Sequence, residues 1–328
     1  EVTAAPRILR RLAHTAPGEL AMRIGLVLAM PGDTTPLHGL VEKTAQAEAA
    51  GFASAWLPQV MAIDALTMFA IAGSQTSTIE LGTAVIPTYP RHPTALACQA
   101  LTTQAATNGR LTLGIGLSHK VFIENALGLD YSRPVPHMRE YLTVLNGLLA
   151  GEAVSVKGEL YSVTAQVTVP EATKPPVLVA ALGPAMLRLT GRMADGTITW
   201  MGGIPYLRDV AAPTINVAAA AAGRPLPRIA AMVPVVVTSD AAAARDALNA
   251  TYRMYGVLPS YRATLDRGGA ANPADVAIIG TQNEVEAQLK EYAQVGVTDL
   301  NAVLTAGPEG NREATYELLG ALAQQPGR

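Results

Sequence analysis

Short apolar runs recur along the chain, and each stops at glycine, proline or a polar residue before an alanine-rich or amphipathic stretch begins. Runs over Ile24–Ala29, Ala53–Leu57, Pro176–Ala181, Gly196–Trp200, Ile229–Thr238 and Val297–Leu304 predict buried strands. Two more lie within Leu81–Pro93 and Gly109–His119, each running from an apolar strand into a polar loop marked by glycine or proline. The stretches between them predict helices near Leu37–Ala50, Ala65–Gln75, Thr94–Asn108, His137–Gly151, Pro184–Ala194, Tyr206–Ala222, Asp240–Tyr255, Gln282–Gln294 and Arg312–Ala323. Eight strands alternating with helices predict an α/β fold, a (β/α)8 TIM barrel. A doubly wound open sheet is the competitor, but LVLAMPGD after the first strand carries no GxGxxG fingerprint.

Two stretches break the alternation. The first, near 120–170, contains a short helix and a hairpin over Val154–Val167 centred on Lys157-Gly158. The second, Gly256–Asn272, resembles a lid. Residues 22–328 therefore read as one barrel domain with excursions. Residues 1–21 read as an N-terminal extension, disordered or forming a short helix over Arg7–His14.

Composition narrows the function. Of 328 residues 49% are hydrophobic and 15% charged, enough for one large core, and the net charge of −2 leaves no electrostatic footprint for nucleic acid. The one cysteine, Cys98, excludes a disulfide framework and reads as a small buried hydrophobe in a helix. No apolar run has the length and continuity of a membrane span, and no apolar h-region follows Arg7, Arg10 and Arg11. A cytoplasmic enzyme acting on a small molecule is the expectation.

The candidate chemistry sits where strands end. LGIGLSH offers Gly114 and Gly116, which let a planar ligand approach the backbone, and His119, which titrates near neutrality; a glycine packing layer with a surface histidine explains the same letters. Arg91 and His92 either meet an anion or finish a rigid turn. Gly183-Pro184 opens a helix whose free amides suit a phosphate, or is an ordinary helix start. Trp56 and Trp200 both stand at predicted strand ends, which favours pocket walls. Asp33 and Asp64 follow strands one and two and could be acids, although Asp64 suits a helix cap better. No HExxH, CxxC, GxSxG or P-loop is present, and no metal is expected.

In combination, Gly82–His119, Val177–Met201 and the GVTDL at Gly296–Leu300 resemble the luciferase-like (bacterial luciferase superfamily) oxidoreductases, and within them the class dependent on the deazaflavin coenzyme F420. The resemblance runs over nearly the whole chain from Met22. It implies a barrel with insertions that holds a flavin-like ring at the C-terminal ends of its strands. It implies a non-prolyl cis peptide at Ala84-Val85 behind the ring, with Gly116, Ser118 and His119 beside it. The cofactor phosphate would lie at Ala181, Leu182, Gly183, Pro184, Ala185 and Met186, and Trp56, Gln59 and Trp200 would face the substrate. His119 would be the catalytic residue, and the chain would pair as a homodimer. Pro58-Gln59 stands where relatives that oxidise alcohols carry an acid or histidine. Reduction of an activated C=C, C=N or C=O bond is therefore expected over alcohol oxidation, with an FMN monooxygenase and a non-catalytic cofactor-binding protein as alternatives.

Overall fold

The computed structural model describes residues 22–305 and 311–325. The extension over 1–21, with its Arg7–His14 helix, lies outside the described residues. Parallel strands β1 (Arg23–Val27), β2 (Ser54–Leu57) and β3 (Glu80–Thr83) are followed by β4 (Ile86–Pro87), β5 (Leu111–Gly116), β6 (Val154–Lys157), β7 (Ser162–Ala165), β8 (Val177–Ala180), β9 (Gly196–Trp200), β10 (Arg228–Val237), β11 (Ile278–Gly280) and β12 (Asp299–Leu304). The order β1-β2-β3-β5-β8-β9-β10-β12 closes on itself through the β12–β1 pairing, and every one of these pairs is parallel. Eight strands thus form the predicted barrel.

Side chains alternate along each strand between the barrel interior and the helix layer. Ile24, Leu26, Leu81, Leu111, Leu113, Val177 and Val179 join the cluster shared with the helices. Val27, Trp56, Ala84, Leu178, Ile198, Trp200, Met232 and Val303 pack in a second cluster inside the barrel and at its mouth. Trp56 fills the middle of the interior. A Cβ at Gly82 would overlap its indole, and one at Gly25 would overlap Ser54 Oγ. The Trp56 indole N–H donates to Ser54 Oγ at 2.8 Å. These small residues make room for one large one, which seals the barrel.

The floor is ionic. Arg23 pairs with Glu80 at 2.8 Å and with Asp299, and Arg228 meets Glu80 at 2.8 Å and Asp299 at 3.0 Å. Thr112 Oγ1 donates to Glu80 at 2.8 Å. Burial opposes ionisation of Asp299, but Arg228 and Arg23 outweigh it and hold the carboxyl below its ordinary value.

Several details depart from the sequence-based expectation. The third strand breaks into β3 and β4. The strand β11 adds to the outer end of β10 through Val235↔Ile278, where three apolar residues gave no strand-length run. The hairpin β6–β7 forms, but its turn spans Gly158–Tyr161 rather than centring on Lys157-Gly158. The lid is helical, with a short 3-10 turn at Arg253–Gly256 and a helix over Pro259–Arg267. Cys98 is exposed, not buried: the Pro93–Ala106 helix turns Leu96, Ala97, Ala100 and Leu101 inward, and Cys98 falls on its other face.

Removing Asp299, the more deeply buried of the two floor acids, leaves Arg23 and Arg228 with Glu80 alone as their shared partner. Asp299→Ala is expected to lower unfolding free energy by about 3–5 kcal/mol in urea denaturation at pH 7. Because the folded carboxyl titrates below its unfolded value, its contribution is complete above about pH 4 and is lost as pH falls through the depressed value. The wild-type and variant curves should therefore converge in acid.

Candidate active site

The C-terminal mouth is shaped by an irregularity in the third strand. Register runs Gly82↔Thr112 below and Ile86↔Ile115 above, so Thr83, Ala84 and Val85 stand opposite only Leu113 and Gly114. This is a bulge of one extra residue. Thr83 replaces the lost ladder bonds: its hydroxyl donates to Gly114 O at 2.8 Å and accepts the Gly114 N–H at 2.8 Å. The Ala84-Val85 peptide is cis. A Cβ at Gly114 would overlap the Thr83 carbonyl oxygen, and one at Gly116 would lie 2.5 Å from Val85 Cγ2. The two glycines let the bulge fold inward over β5, which brings Ala84-Val85 to the mouth.

The loop leaving β5 bends at Ser118, a non-glycine residue at φ +59°. Tyr131 donates to the Ser118 carbonyl at 3.4 Å. Tyr131 stacks on Tyr89 at 5.2 Å, and Tyr89 lies flat on His137 at 4.0 Å. Burial pushes the His137 imidazole down to about 4, so it is neutral, and its Nε2 shares a 2.9 Å hydrogen bond with Thr88 Oγ1. This stack clamps the β4 loop to the β5 loop. His119 follows, half-buried, at the start of the short Lys120–Asn125 helix but with no side-chain cap bond. Its ring stands 5.2 Å from the ring of Tyr261 on the lid helix. Desolvation lowers its pKa below the usual 6.5.

After β8 the chain reaches Leu182, Gly183 and Pro184, and Gly183 is the N-cap of the Pro184–Met193 helix. Pro184 lacks an N–H, and the first intrahelical donor bond runs from Leu187 to Gly183 O. The amides of Ala185 and Met186 are the orphan donors of this turn. Nothing lies within 4 Å of a Cβ built on Gly183, so the turn opens outward. Tyr206 braces it by donating to Leu182 O at 2.7 Å.

Trp200, at the end of β9, lines the mouth. Its indole N–H is buried and unpartnered among the described residues. Tyr252 and Tyr255 stand edge-on to it at 5.3 and 5.5 Å, and Tyr255 meets Tyr261 at 5.2 Å. Four aromatic side chains thus arch from β9 through the lid to His119.

The structure relocates several predicted residues. Trp56 does not line a pocket, because its place on β2 aims it into the sealed barrel centre, fully buried. Gln59 has no free amide: it donates to Asp64 at 3.1 Å and accepts the Ala65 N–H at 3.1 Å. Ala181 turns into the helix layer and Met186 is buried there, so neither side chain faces a ligand; the inward neighbour is Ala180, 3.1 Å from a Cβ position on Gly116. Arg91 pairs with Asp64 at 2.8 Å, and His92 caps its helix through Thr94, which uses both in local structure. Asp64 caps the Ala65–Gly73 helix at Thr67. Tyr89, Tyr131, Tyr252, Tyr255 and Tyr261 enter the site unforeseen. Their signal was compositional: ten tyrosines against three phenylalanines, with several in the excursions.

A family model for luciferase-like monooxygenase matches residues 22–299. The chain belongs to this family. A 5,10-methylenetetrahydromethanopterin reductase from Methanolobus tindarius is 26% identical over 322 residues, covering 89% of the chain and 96% of the relative. An F420-dependent glucose-6-phosphate dehydrogenase from Beutenbergia cavernae is 33% identical over 234 residues, covering 67% and 69%. Among solved structures, an F420-dependent secondary alcohol dehydrogenase in complex with an F420-acetone adduct superposes with a TM-score of 0.77 at 16% identity, covering 93% of the chain and 99% of that structure. The last likeness shows the luciferase-like barrel fold. The chain is an enzyme, an oxidoreductase among F420-dependent relatives.

The bulge makes the two glycines unequal. Gly114→Ala forces a methyl against backbone, and is expected to destabilise the fold by more than the ~1–3 kcal/mol typical of overpacking. Gly116→Ala meets the tip of Val85 and should cost less. Denaturant unfolding of both variants checks the order.

Proposed function

We propose that the protein transfers a hydride between reduced F420 and an organic substrate, with reduction of an activated C=C, C=N or C=O bond as the working direction. The carrying observation is the convergence of three features at one mouth: the inward bulge at Ala84-Val85, the β5 loop ending in His119, and the open helix start at Gly183. A deazaflavin fits them. The outward turn at Gly183-Pro184, with the Ala185 and Met186 amides, suits its phosphate. Gly116 lets Val85 pack against β5 so that the bulge stands at the mouth, and the unpartnered Trp200 N–H is a donor for a buried carbonyl. The cofactor, when bound, supplies the hydride chemistry.

The protein supplies position and a proton. His119 is the one histidine at the mouth without a fixed hydrogen-bond partner among the described residues, whereas His137 is held by Thr88. The direction follows from what stands beyond β2. Burial opposes ionisation of Asp64, but the Thr67 amide and Arg91 hold its carboxyl below the ordinary value. Arg91 engages its Oδ2 at 2.8 Å, Gln59 donates to the same oxygen at 3.1 Å, and Thr67 takes Oδ1. Such a carboxylate is a poor base for a substrate hydroxyl, which favours reduction over alcohol oxidation.

His119→Ala is expected to lower kcat by about 10²–10⁴-fold while leaving the Kd for F420, read from its absorbance, nearly unchanged. Because burial lowers the His119 pKa, wild-type turnover that uses its imidazolium should fall as pH rises through a value below 6.5, and the variant should lack that limb. Undiminished turnover in the variant would remove His119 from the mechanism. Titration with F420 and with FMN separates the cofactors: tight FMN binding with oxygen uptake would replace this reading by a monooxygenase.

A further inference from the structure

A second feature of the mouth lies across the barrel from Gly183. Between the ends of β1 and β12 is a cavity of about 160 Å³, bounded by Asp33, Arg312, Tyr252 and Thr305. In the ring of strands β12 and β1 stand opposite β5 and β8, so the cavity faces away from the helix start suited to phosphate. Tyr252 joins it to the aromatic arch, being edge-on to Trp200. A cavity of about 150 Å³ accepts one benzene-sized ring.

Its polar lining is specific. Thr305 is only 8% exposed, and its hydroxyl is buried without a hydrogen-bond partner among the described residues. Asp33 is held as an anion by the Thr35 amide at 2.8 Å and the Thr35 hydroxyl at 2.6 Å, with Lys43 at 3.9 Å. Arg312 contributes the opposite charge. An apolar occupant would leave the Thr305 hydroxyl unpaired. An anion would face the Asp33 carboxylate, and a cation would face Arg312. The complement is neutral and carries a donor next to an acceptor.

We infer that this cavity seats the polar end of the substrate, a planar group presenting N–H beside C=O, with the N–H toward Asp33 and the C=O toward Thr305 and Arg312. This rests on the proposed function only in calling the occupant substrate. The arch then covers the apolar remainder, and the reacting bond lies between the cavity and His119. Substrate and cofactor enter the mouth from opposite sides.

Binding of 2-pyridone, toluene and benzoate to the full chain, without cofactor, tests the assignment by ligand-observed NMR. The expected result is 2-pyridone binding at least about tenfold more tightly than the other two, with Thr305→Val and Asp33→Asn each weakening it about tenfold. Thermal unfolding of both variants verifies that the fold is retained. Equal binding of toluene or benzoate, absence of 2-pyridone binding, or 2-pyridone binding unmoved in both variants would overturn the assignment. Because no F420 is present, these outcomes are independent of the cofactor titration.

Discussion

The mouth of this barrel depends on the contact between Gly114 and Thr83. No side chain fits at Gly114, because the Thr83 carbonyl occupies the space a Cβ would need. That absence lets one extra residue of the third strand fold toward the barrel axis. The Thr83 hydroxyl then satisfies both backbone groups of Gly114, so the bulge leaves no buried polar group of that residue unpaired. Val85 comes to rest on Gly116, and the β5 loop must leave along the path that Ser118 and His119 take. Position of the Ala84-Val85 bulge and position of the histidine are consequences of one steric constraint.

Below this layer the barrel is closed. Trp56 and the glycines around it fill the middle, and the Arg23–Glu80–Arg228–Asp299 network fills the floor. The charges are thus separated from the mouth by an apolar plug. The mouth lies at the C-terminal face, where the loops are free to vary without disturbing the seal. The floor charges act on stability, and the mouth chemistry is set by the loops and the lid.

The strand count, the barrel and the β3–loop–β5 unit were legible because apolar runs and their stops report burial directly. What remained hidden turns on depth along the barrel axis and on parity. Trp56 and Trp200 both stand at strand ends in the sequence, but Trp56 pairs in register with Gly82 and packs in the barrel centre, whereas Trp200 pairs with Met232 at the mouth. Ala181 was chosen where Ala180 faces inward, an error of one residue that in a strand reverses the face. Gln59 and Arg91 look chemically available as letters; only the fold shows that Asp64 engages both. Tyr261 was unreadable because it reaches the site from a helix inside an excursion, and Tyr252 and Tyr255 because they stand where the preceding helix ends and turns toward the mouth. The tyrosines within the excursions, Tyr131 and Tyr261 among them, were the usable sign.

The lid also sets the chemistry of the residue it covers. His119 is lowered by desolvation alone, with no charged partner among the causes, and its described aromatic neighbour is Tyr261 of the lid helix. The proton affinity of the imidazole therefore follows how much water reaches it. With the Pro259–Arg267 helix over the mouth, the charged form loses solvation and the imidazolium becomes a stronger acid. With that helix displaced, water would restore the pKa toward its ordinary value near 6.5. For the proton delivery proposed for His119, a covering that excludes water would therefore also weaken the hold of the imidazole on its proton. A neutral aromatic arch suits the proposed role better than a charged lid would: a carboxylate beside His119 would hold the proton in place, and an arginine there would lower the proton affinity further.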